Sequence, residues 1–280
     1  MHSLNRVLAV ITAICALVGP SSSVLAASCG ERVTLATHGD TRSSYAYVAP
    51  PGAQAVLLLL VGGGGHLRLD AQGCPRALTG NSLVRSLPLF QAQGYATALL
   101  DAPSDHEGED GLGGFRTAPE HVQDLGRVIA DLRQRSGLPV WVIGTSRGAI
   151  SAAHAASRLQ GSVAPDGVVL TSPVTAGNPR GSKAWVAQSV FDLPLEAITV
   201  PLLVIGHAQD KCLRSPAAEN ERILARASSA RKQLVQVDGG PGRAGLSAVE
   251  ACEGRSPHGF VEQEAEVAAG IVRFIRGGRY

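Results

Sequence analysis

The segment that decides the fold runs from residue 140 to residue 150 and reads VWVIGTSRGAI. Its first four residues are continuously apolar, as in a buried parallel strand, and small residues suited to a helix follow Gly148. Between them, residues 144–148 read GTSRG, which is the pattern G-x-S-x-G. The two glycines let neighbouring backbone pass close to the serine, which sits on a strained turn. The segment therefore predicts a serine hydroxyl exposed between a strand and a helix.

Outward from this turn, apolar strands alternate with helices along the whole chain. The predicted strands are Ala55–Val61, Tyr95–Leu100, Val140–Ile143, Gly167–Leu170, Pro201–Ile205 and Gln233–Val237. The predicted helices are Leu83–Gln93, Ala118–Ser136, Ala149–Leu159, Ala217–Ala230 and Glu262–Ile275. Repeated strand–helix units predict an α/β protein, a three-layer α/β/α sandwich with a mostly parallel central sheet. Functional groups are then expected in the loops beyond the carboxyl ends of the strands.

The composition excludes several other classes of protein. The 280 residues include 25 Lys+Arg and 23 Asp+Glu, so a net charge of +2 offers no strong attraction for nucleic acid or anionic membranes. Charged residues make up 17% and apolar residues 45% of the chain, which favours a globular protein over a disordered one. We therefore expect a single domain over residues 28–280 and no nucleic-acid partner.

The first 27 residues have the layout of a secretory signal peptide. A weakly basic start precedes an apolar run, Val7–Val18, which is too short to span a bilayer comfortably. Small residues around Ala26 and Ala27 suit a cleavage site. We expect residues 1–27 to be removed from a secreted or periplasmic protein that keeps no stable membrane anchor. A retained anchor helix is the alternative.

The cysteine count is consistent with export. Removal of residues 1–27 takes away one of the five cysteines and leaves Cys29, Cys74, Cys212 and Cys252. An even number of cysteines in an exported chain predicts two disulfides, for which three pairings are possible. A lipid-modified Cys29 is the alternative, but the residues before it make a poor lipoprotein signal and an odd thiol would remain.

The strand, turn and helix around Ser146 resemble the nucleophile-bearing turn of the α/β-hydrolase family, and the resemblance covers nearly all of the mature sequence. A serine in such enzymes needs a base that is held by an acid, in the chain order serine, acid, histidine. The resemblance implies that Ser146 is the nucleophile and Asp210, after a predicted strand, the acid. It implies that His258, the last histidine of the chain, is the base. His207 precedes Asp210 in the same loop and is expected to be structural.

Four consecutive glycines, Gly62–Gly65, follow the predicted strand that ends at Val61. Without Cβ atoms, their backbone N–H groups can converge on a substrate oxygen. The run resembles the H-G-G-G loop of esterases and lipases, although here the histidine follows the glycines. The resemblance implies an oxyanion hole formed by the N–H of Arg147 and that of Gly63 or Gly64. A phosphate-binding loop is the alternative, but the run lacks the G-x-G-x-x-G spacing.

The same resemblance implies how the cysteines pair. A catalytic triad would bring the acid-bearing loop and the base-bearing loop together. Cys212 lies in the first of these loops, just after Asp210. Cys252 lies shortly before His258, which the second loop carries. We therefore expect a Cys212–Cys252 bridge, which leaves Cys29 to pair with Cys74.

The segment Asp101–Phe115 carries five carboxylates among glycines. A calcium site is one interpretation, but the spacing does not match an EF-hand loop. We expect instead a solvated acidic loop at the mouth of the site, which would disfavour anionic substrates or hold a cationic group. The Arg147 side chain could bind a carboxylate or pair with this loop. No motif for a metal or a cofactor is predicted.

These observations favour a serine hydrolase that cleaves a small-molecule ester, or an amide, through an acyl-enzyme. A peptidase or an acyltransferase could use the same three residues. A protein of a different class, which binds a ligand or a partner in the same cleft without catalysis, is the remaining alternative, because a fold alone does not fix a function.

Overall fold

An eight-stranded sheet runs through the centre of the protein in the computed structural model of the chain. The structure describes residues 29–178, 180–241 and 245–280, without the side chains of residues 184 and 185. The predicted signal peptide at residues 1–27 lies outside the described residues, so its removal and the single-domain boundary at residue 28 stay predictions.

The strands and helices alternate for most of the described chain. The strands are β1 (Glu31–Ala36), β2 (Arg42–Val48), β3 (Val56–Leu60), β4 (Ala96–Leu100), β5 (Val140–Thr145), β6 (Gly167–Thr171), β7 (Leu202–His207) and β8 (Lys232–Val237). The α-helices are α1 (Ser82–Ala92), α2 (Pro119–Ser136), α3 (Gly148–Arg158), α4 (Asn220–Arg226) and α5 (Glu264–Ile275). Within the described ranges, no helix combines the length and the apolar character that crossing a membrane requires.

The sheet has the order β1-β2-β4-β3-β5-β6-β7-β8. Strand β2 pairs antiparallel with both β1 and β4, whereas all the other neighbours are parallel. The parallel strands therefore end at one edge of the sheet, and the loops that follow β3, β5 and β7 come together there. These are the loops that carry the predicted site residues.

Helices cover both faces of the sheet, because successive side chains of each strand point to opposite faces. In β3, Val56, Leu58 and Leu60 belong to the core beneath α2, α3 and α4. Leu57 and Leu59 belong to the core beneath α1 and α5. All five side chains are buried, which explains why the strand is continuously apolar. The predicted three-layer α/β/α sandwich with a mostly parallel sheet is confirmed.

Two parts of the secondary structure differ from the prediction. Strands β1 and β2 were not predicted, because their sequences, ERVTLA and RSSYAYV, mix polar with apolar residues and contain no long apolar run. The helix predicted over residues 217–230 is shorter, since a 3₁₀ turn at Ala217–Glu219 precedes α4. Between β6 and β7, the described residues form three short 3₁₀ turns rather than a large insertion.

A cluster of histidines and carboxylates ties the turn between β1 and β2 to the rest of the molecule. His38 is bonded through Nδ1 to Oδ2 of Asp124 at 2.6 Å and through Nε2 to Oδ2 of Asp105 at 3.0 Å. Burial disfavours the charged imidazolium, but the hydrogen bonds to both carboxylates outweigh burial and raise the pKa of His38 above its ordinary 6.5. Charged His38 therefore stabilises the fold.

This contact predicts a pH-dependent contribution to stability. Because the pKa of His38 is raised on folding, its contribution is complete below the ordinary pKa and is lost as the pH rises through the folded-state pKa. The free energy of unfolding of His38→Gln should be furthest below that of wild type at about pH 5.5. The difference should become small at about pH 8.5. Urea unfolding at both pH values measures this, with His66→Gln as a control outside the cluster. A difference that is constant with pH would contradict the assignment.

Candidate active site

Ser146 occupies the sharp turn between β5 and α3. Its φ of 53° lies in the left-handed region, which residues other than glycine rarely adopt. Such strained positions persist only where the surrounding structure holds them. Here the Ser146 N–H donates to the carbonyl of Thr171 at 2.9 Å, which ties the turn to the end of β6. The half-buried serine side chain is presented between the strand and the first turn of the helix.

The glycines around Ser146 are required by close backbone packing. A Cβ atom on Gly144 would overlap the carbonyl of Gly148, and a Cβ atom on Gly148 would overlap the carbonyl of Leu60 in β3. Helix α3 can therefore begin directly against the sheet only with glycine at both places. The spacing of the G-x-S-x-G pattern follows from these two contacts.

Asp210 and His258 meet although 48 residues separate them in the chain. His258 Nδ1 lies 2.8 Å from Oδ2 of Asp210, and since a carboxylate only accepts hydrogen bonds, Nδ1 carries the proton. The two side chains are 3% and 2% exposed, so little water screens the pair. The other oxygen of Asp210 accepts the N–H of Cys212 at 2.8 Å. The backbone carbonyl of His258 accepts the hydroxyl of Ser172 at 2.7 Å, which fixes this turn.

The second nitrogen of His258 has a different environment. Because Nδ1 carries the proton, Nε2 is an acceptor, and this buried atom has no hydrogen-bond partner among the described residues. Buried polar atoms in proteins are nearly always paired, so an unpaired one calls for an explanation. His258 and Ser146 line one side of the same cleft. The unpaired nitrogen therefore belongs to a residue that lines the same cleft as Ser146.

The cleft has two lobes, and Ser146, Gly63 and Cys252 line both of them. The first, which we call the arginine lobe, has a volume of about 280 Å³ and is lined by Arg147 and Arg214. The second, the histidine lobe, has a volume of about 410 Å³ and is lined by His258. Ser146 therefore lies between two cavities, so a ligand bound at the serine could extend into both of them.

The glycine loop lies against the serine, and the two candidate donors differ in position. Gly63 lines both lobes, and Gly62 is so close that a Cβ atom there would lie 2.9 Å from the Cβ of Ser146. Gly64 faces the other way: its carbonyl accepts the Leu112 N–H at 2.7 Å, and its own Cβ position faces the backbone of Asp110. Gly63 therefore lies at the cleft, whereas Gly64 packs against the segment around Asp110.

Arg116, which the sequence analysis did not single out, holds this glycine loop from behind. Its guanidinium donates to the carbonyls of Val61 at 3.1 Å and Gly63 at 3.4 Å, and to the hydroxyl of Ser151 at 2.8 Å. The side chain is buried, and burial lowers the pKa of Arg116 to about 9, with repulsion from Arg147 as the second cause. No motif marks Arg116, because its role depends on the distant segment against which it packs.

Asp101 is the exception in the expected solvated acidic loop, since the carboxylates at 105, 107 and 109 are exposed and the one at 110 is half-buried. Asp101 is 8% exposed and accepts three backbone N–H groups, from Leu67 at 2.6 Å, Leu69 at 2.9 Å and Ala102 at 2.9 Å. It therefore fixes the segment that follows the glycine loop and does not face solvent. Its position directly after β4 is the signal that could have revealed this role, since strand ends meet at this edge of the sheet.

Two groups of side chains could hold a metal ion by their spacing. One is His38 with Asp105 and His106, in the cluster at the β1–β2 turn, and the other is Asp210 with Cys212 and His258. In the second group the sulfur is bonded in a disulfide and is not a free thiolate ligand. His207 is structural as expected, since its Nε2 lies 2.8 Å from the amide oxygen of Gln263.

Two disulfides join distant parts of the chain. Cys29 is bonded to Cys74, 45 residues away, and Cys212 is bonded to Cys252, 40 residues away. The second bridge lines the arginine lobe, and it links the segment after Asp210 to the segment before His258. It therefore holds the loop that carries Asp210 against the loop that carries His258.

Known proteins resemble this chain in structure. An esterase from Pyrococcus furiosus matches 89% of this chain and 91% of its own at 14% identity, with a TM-score of 0.63. A monoglyceride lipase from Saccharomyces cerevisiae, in complex with a substrate analogue, matches 91% and 96% at 11% identity, also with a TM-score of 0.63. A monoacylglycerol lipase from Paleococcus ferrophilus matches 82% and 97% at 16% identity, with a TM-score of 0.54. At these identities the likeness establishes a shared fold.

Comparison of the sequence alone gives no such relatives. No family model matches the chain. No curated protein matches it either. The residues of the cleft are therefore the basis for assigning an activity.

The packing around Ser146 predicts a large effect of one methyl group. Gly148→Ala should lower the free energy of unfolding by roughly 3 kcal/mol or more, because the new Cβ atom overlaps the Leu60 carbonyl and forces α3 away from the sheet. Gly108→Ala is the matched control, since a Cβ atom there meets nothing within 4 Å. Denaturant unfolding of both variants measures the difference. Equal stability of the two variants would rule out the close contact.

The bridge between the acid and base loops predicts a loss of order at the site. Replacing both Cys212 and Cys252 by serine removes a cross-link worth about 4 kcal/mol on the chain-entropy model. The matched control is the double serine variant of Cys29 and Cys74, which opens a loop of similar length away from the cleft.

We expect faster hydrogen exchange at residues 209–215 and 252–259 in the first variant only. Mass spectrometry of exchanged peptides measures this. Equal exchange of these segments in both variants would show that the first bridge does not restrain the two loops.

Proposed function

We propose that this protein, which has the α/β-hydrolase fold, is a serine hydrolase that cleaves small-molecule esters through an acyl-enzyme. One observation carries the proposal. His258 is bonded to buried Asp210 through one nitrogen, while its other nitrogen is buried and unpaired beside the cleft that Ser146 lines. A base held by an acid next to a strained, accessible serine is the arrangement that nucleophilic acyl transfer requires.

In the first half of the proposed reaction, the Ser146 hydroxyl attacks the ester carbonyl and His258 Nε2 takes the hydroxyl proton. The imidazolium that forms is stabilised by the carboxylate of Asp210, whose hydrogen bond also keeps the ring in the right tautomer. When the tetrahedral intermediate collapses, His258 returns the proton to the leaving alcohol. The product is an ester between Ser146 and the acyl group.

The negative charge on the tetrahedral oxygen needs donors that are already in place. The N–H groups of Arg147, at the start of α3, and Gly63, in the glycine loop, are the proposed donors. The helix dipole of α3 adds favourable potential at the same point, because its N-terminus lies next to Ser146. Arg116 binds carbonyl groups of the glycine loop, and Asp101 holds the segment that follows this loop.

The second half repeats these steps with water. His258 takes a proton from the water, the resulting hydroxide attacks the acyl-enzyme, and the proton passes to the Ser146 oxygen as it leaves. The products are the carboxylic acid and the regenerated serine, so neither a metal nor a redox cofactor takes part in the proposed reaction.

The two disulfides support a protein that folds in an oxidising compartment, since structural disulfides are rare in reducing ones. Together with the signal peptide expected at residues 1–27, they favour secretion or export to a periplasm. This location would give the enzyme access to small-molecule esters outside the cytosol.

Labelling with a fluorophosphonate probe tests the proposed nucleophile. Such probes phosphonylate a serine only when a neighbouring base activates it, so wild type should be labelled and Ser146→Ala should not. Ser82→Ala is the matched control, because Ser82 lines the histidine lobe but is the first residue of helix α1. This variant should still be labelled. Mass spectrometry identifies the labelled peptide. Folded wild type that takes no label would favour a ligand-binding protein without catalysis.

A further inference from the structure

The arginine lobe carries positive charge that the proposed reaction does not use. The oxyanion hole takes only the backbone N–H of Arg147, yet Arg147 and Arg214 both line this lobe beside Ser146. No carboxylate residue is among the described residues that line this lobe. Most of its other lining residues have aliphatic side chains or belong to the Cys212–Cys252 disulfide. This lobe is therefore suited to a ligand that combines a short apolar chain with an anion.

Arg214 is held in place without being neutralised. Its Nε donates to the carbonyl of Ala176 at 2.6 Å, and its Nη2 donates to the carbonyl of Gln188 at 2.9 Å. Carbonyl oxygens orient the guanidinium plane but do not cancel its charge. In the part of the chain that the structure describes, no carboxylate forms an ion pair with Arg214. A fixed, half-buried cation is thus available at the wall of the lobe.

The two cations are also close enough to repel one another. Burial lowers the pKa of Arg147, repulsion from Arg214 lowers it further, and attraction to Asp110 opposes both. Burial lowers the pKa of Arg214 as well. Placing like charges together in a half-buried wall costs free energy, and a bound anion would offset that cost.

The nearby acidic segment contributes the attraction of Asp110 to Arg147, but none of its carboxylates lines the arginine lobe. Asp110 forms an ion pair with Lys183, Asp105 is bonded to His38 and His106, and Asp101 is buried under backbone N–H groups. The carboxylates of this segment that lie nearest the core are therefore already engaged. The expectation that this segment disfavours anionic substrates or holds a cationic group stays a prediction.

The proposed reaction decides which half of the substrate enters this lobe. His258 gives its proton to the leaving alcohol, so the alcohol must lie in the histidine lobe, which His258 lines. The acyl chain then extends on the other side of Ser146, into the arginine lobe. An anion bound by the two guanidinium groups would accordingly stand at the far end of the acyl chain.

We infer that the arginine lobe binds a carboxylate, and that the substrates are esters in which one carboxyl group of a short dicarboxylic acid is esterified and the other is free. Guanidinium groups present paired N–H donors that match the two oxygens of a carboxylate. The aliphatic part of the lobe would contact the methylene chain between the two carboxyl groups. The inference rests on the proposed function, because it assumes acyl transfer at Ser146.

Two matched esters test the inference. Mono-4-nitrophenyl adipate carries a terminal carboxylate, and 4-nitrophenyl 6-oxoheptanoate carries a neutral methyl ketone of similar size in its place. Wild type should hydrolyse the anionic ester with a kcat/KM roughly tenfold or more above that of the neutral one. Arg147→Gln and Arg214→Gln should each bring this ratio close to one, and Arg214→Lys should keep part of it.

Arg222→Gln on α4 is the matched control and should keep the wild-type ratio, because Arg222 packs over the ring of Phe191 outside the cleft. Each ratio compares two esters on one variant, so a general loss of activity cancels. Salt at about 1 M should reduce the wild-type ratio by screening the charges, which provides a test that needs no variant.

A wild-type ratio near one, with hydrolysis that still depends on Ser146, would overturn the carboxylate site and leave the proposed function intact. An unchanged high ratio in both Gln variants would overturn the role of the two arginines. Failure of wild type to hydrolyse either ester or to take the fluorophosphonate label would overturn the proposed function as well.

Discussion

The backbone at Ser146 is the constraint on which the rest of the site depends. A serine with a φ of 53° is unfavourable by itself, and it persists because α3 begins within contact of β3 and β5, at glycines that leave room for neighbouring carbonyls. This packing sets the position of the helix N-terminus and of the glycine loop. The position of the serine therefore follows from the apolar sheet beneath it, and loss of that packing would affect every group in the cleft.

The parts of the fold and site that the sequence predicts are those that leave a local pattern. Buried parallel strands need continuous apolar runs, and the turn at Ser146 needs glycines at fixed spacing. Both features can therefore be predicted from the sequence. Asp210 and His258 were found through their order along the chain, in loops that follow strands. Strands β1 and β2 were missed because each mixes polar with apolar residues and lacks a long apolar run.

Other residues of the site could not be predicted because their roles arise from packing between distant segments. Arg116 acts on carbonyls more than 50 residues away, and Asp101 accepts N–H groups from a segment more than 30 residues before it. Arg214 lines the cleft because Ala176 and Gln188 hold it there. A net charge of +2 for the whole chain likewise conceals a local excess of cations beside the serine.

The hydrogen bonds of Arg116 have a consequence for the electronic structure of the glycine loop. A peptide group is conjugated, so a cation that binds the carbonyl oxygens of Val61 and Gly63 withdraws electron density from the amide nitrogens that follow them. Those nitrogens belong to Gly62 and Gly64, on either side of Gly63. A buried charge thereby polarises the two peptide groups on either side of the Gly62–Gly63 peptide before any ligand binds.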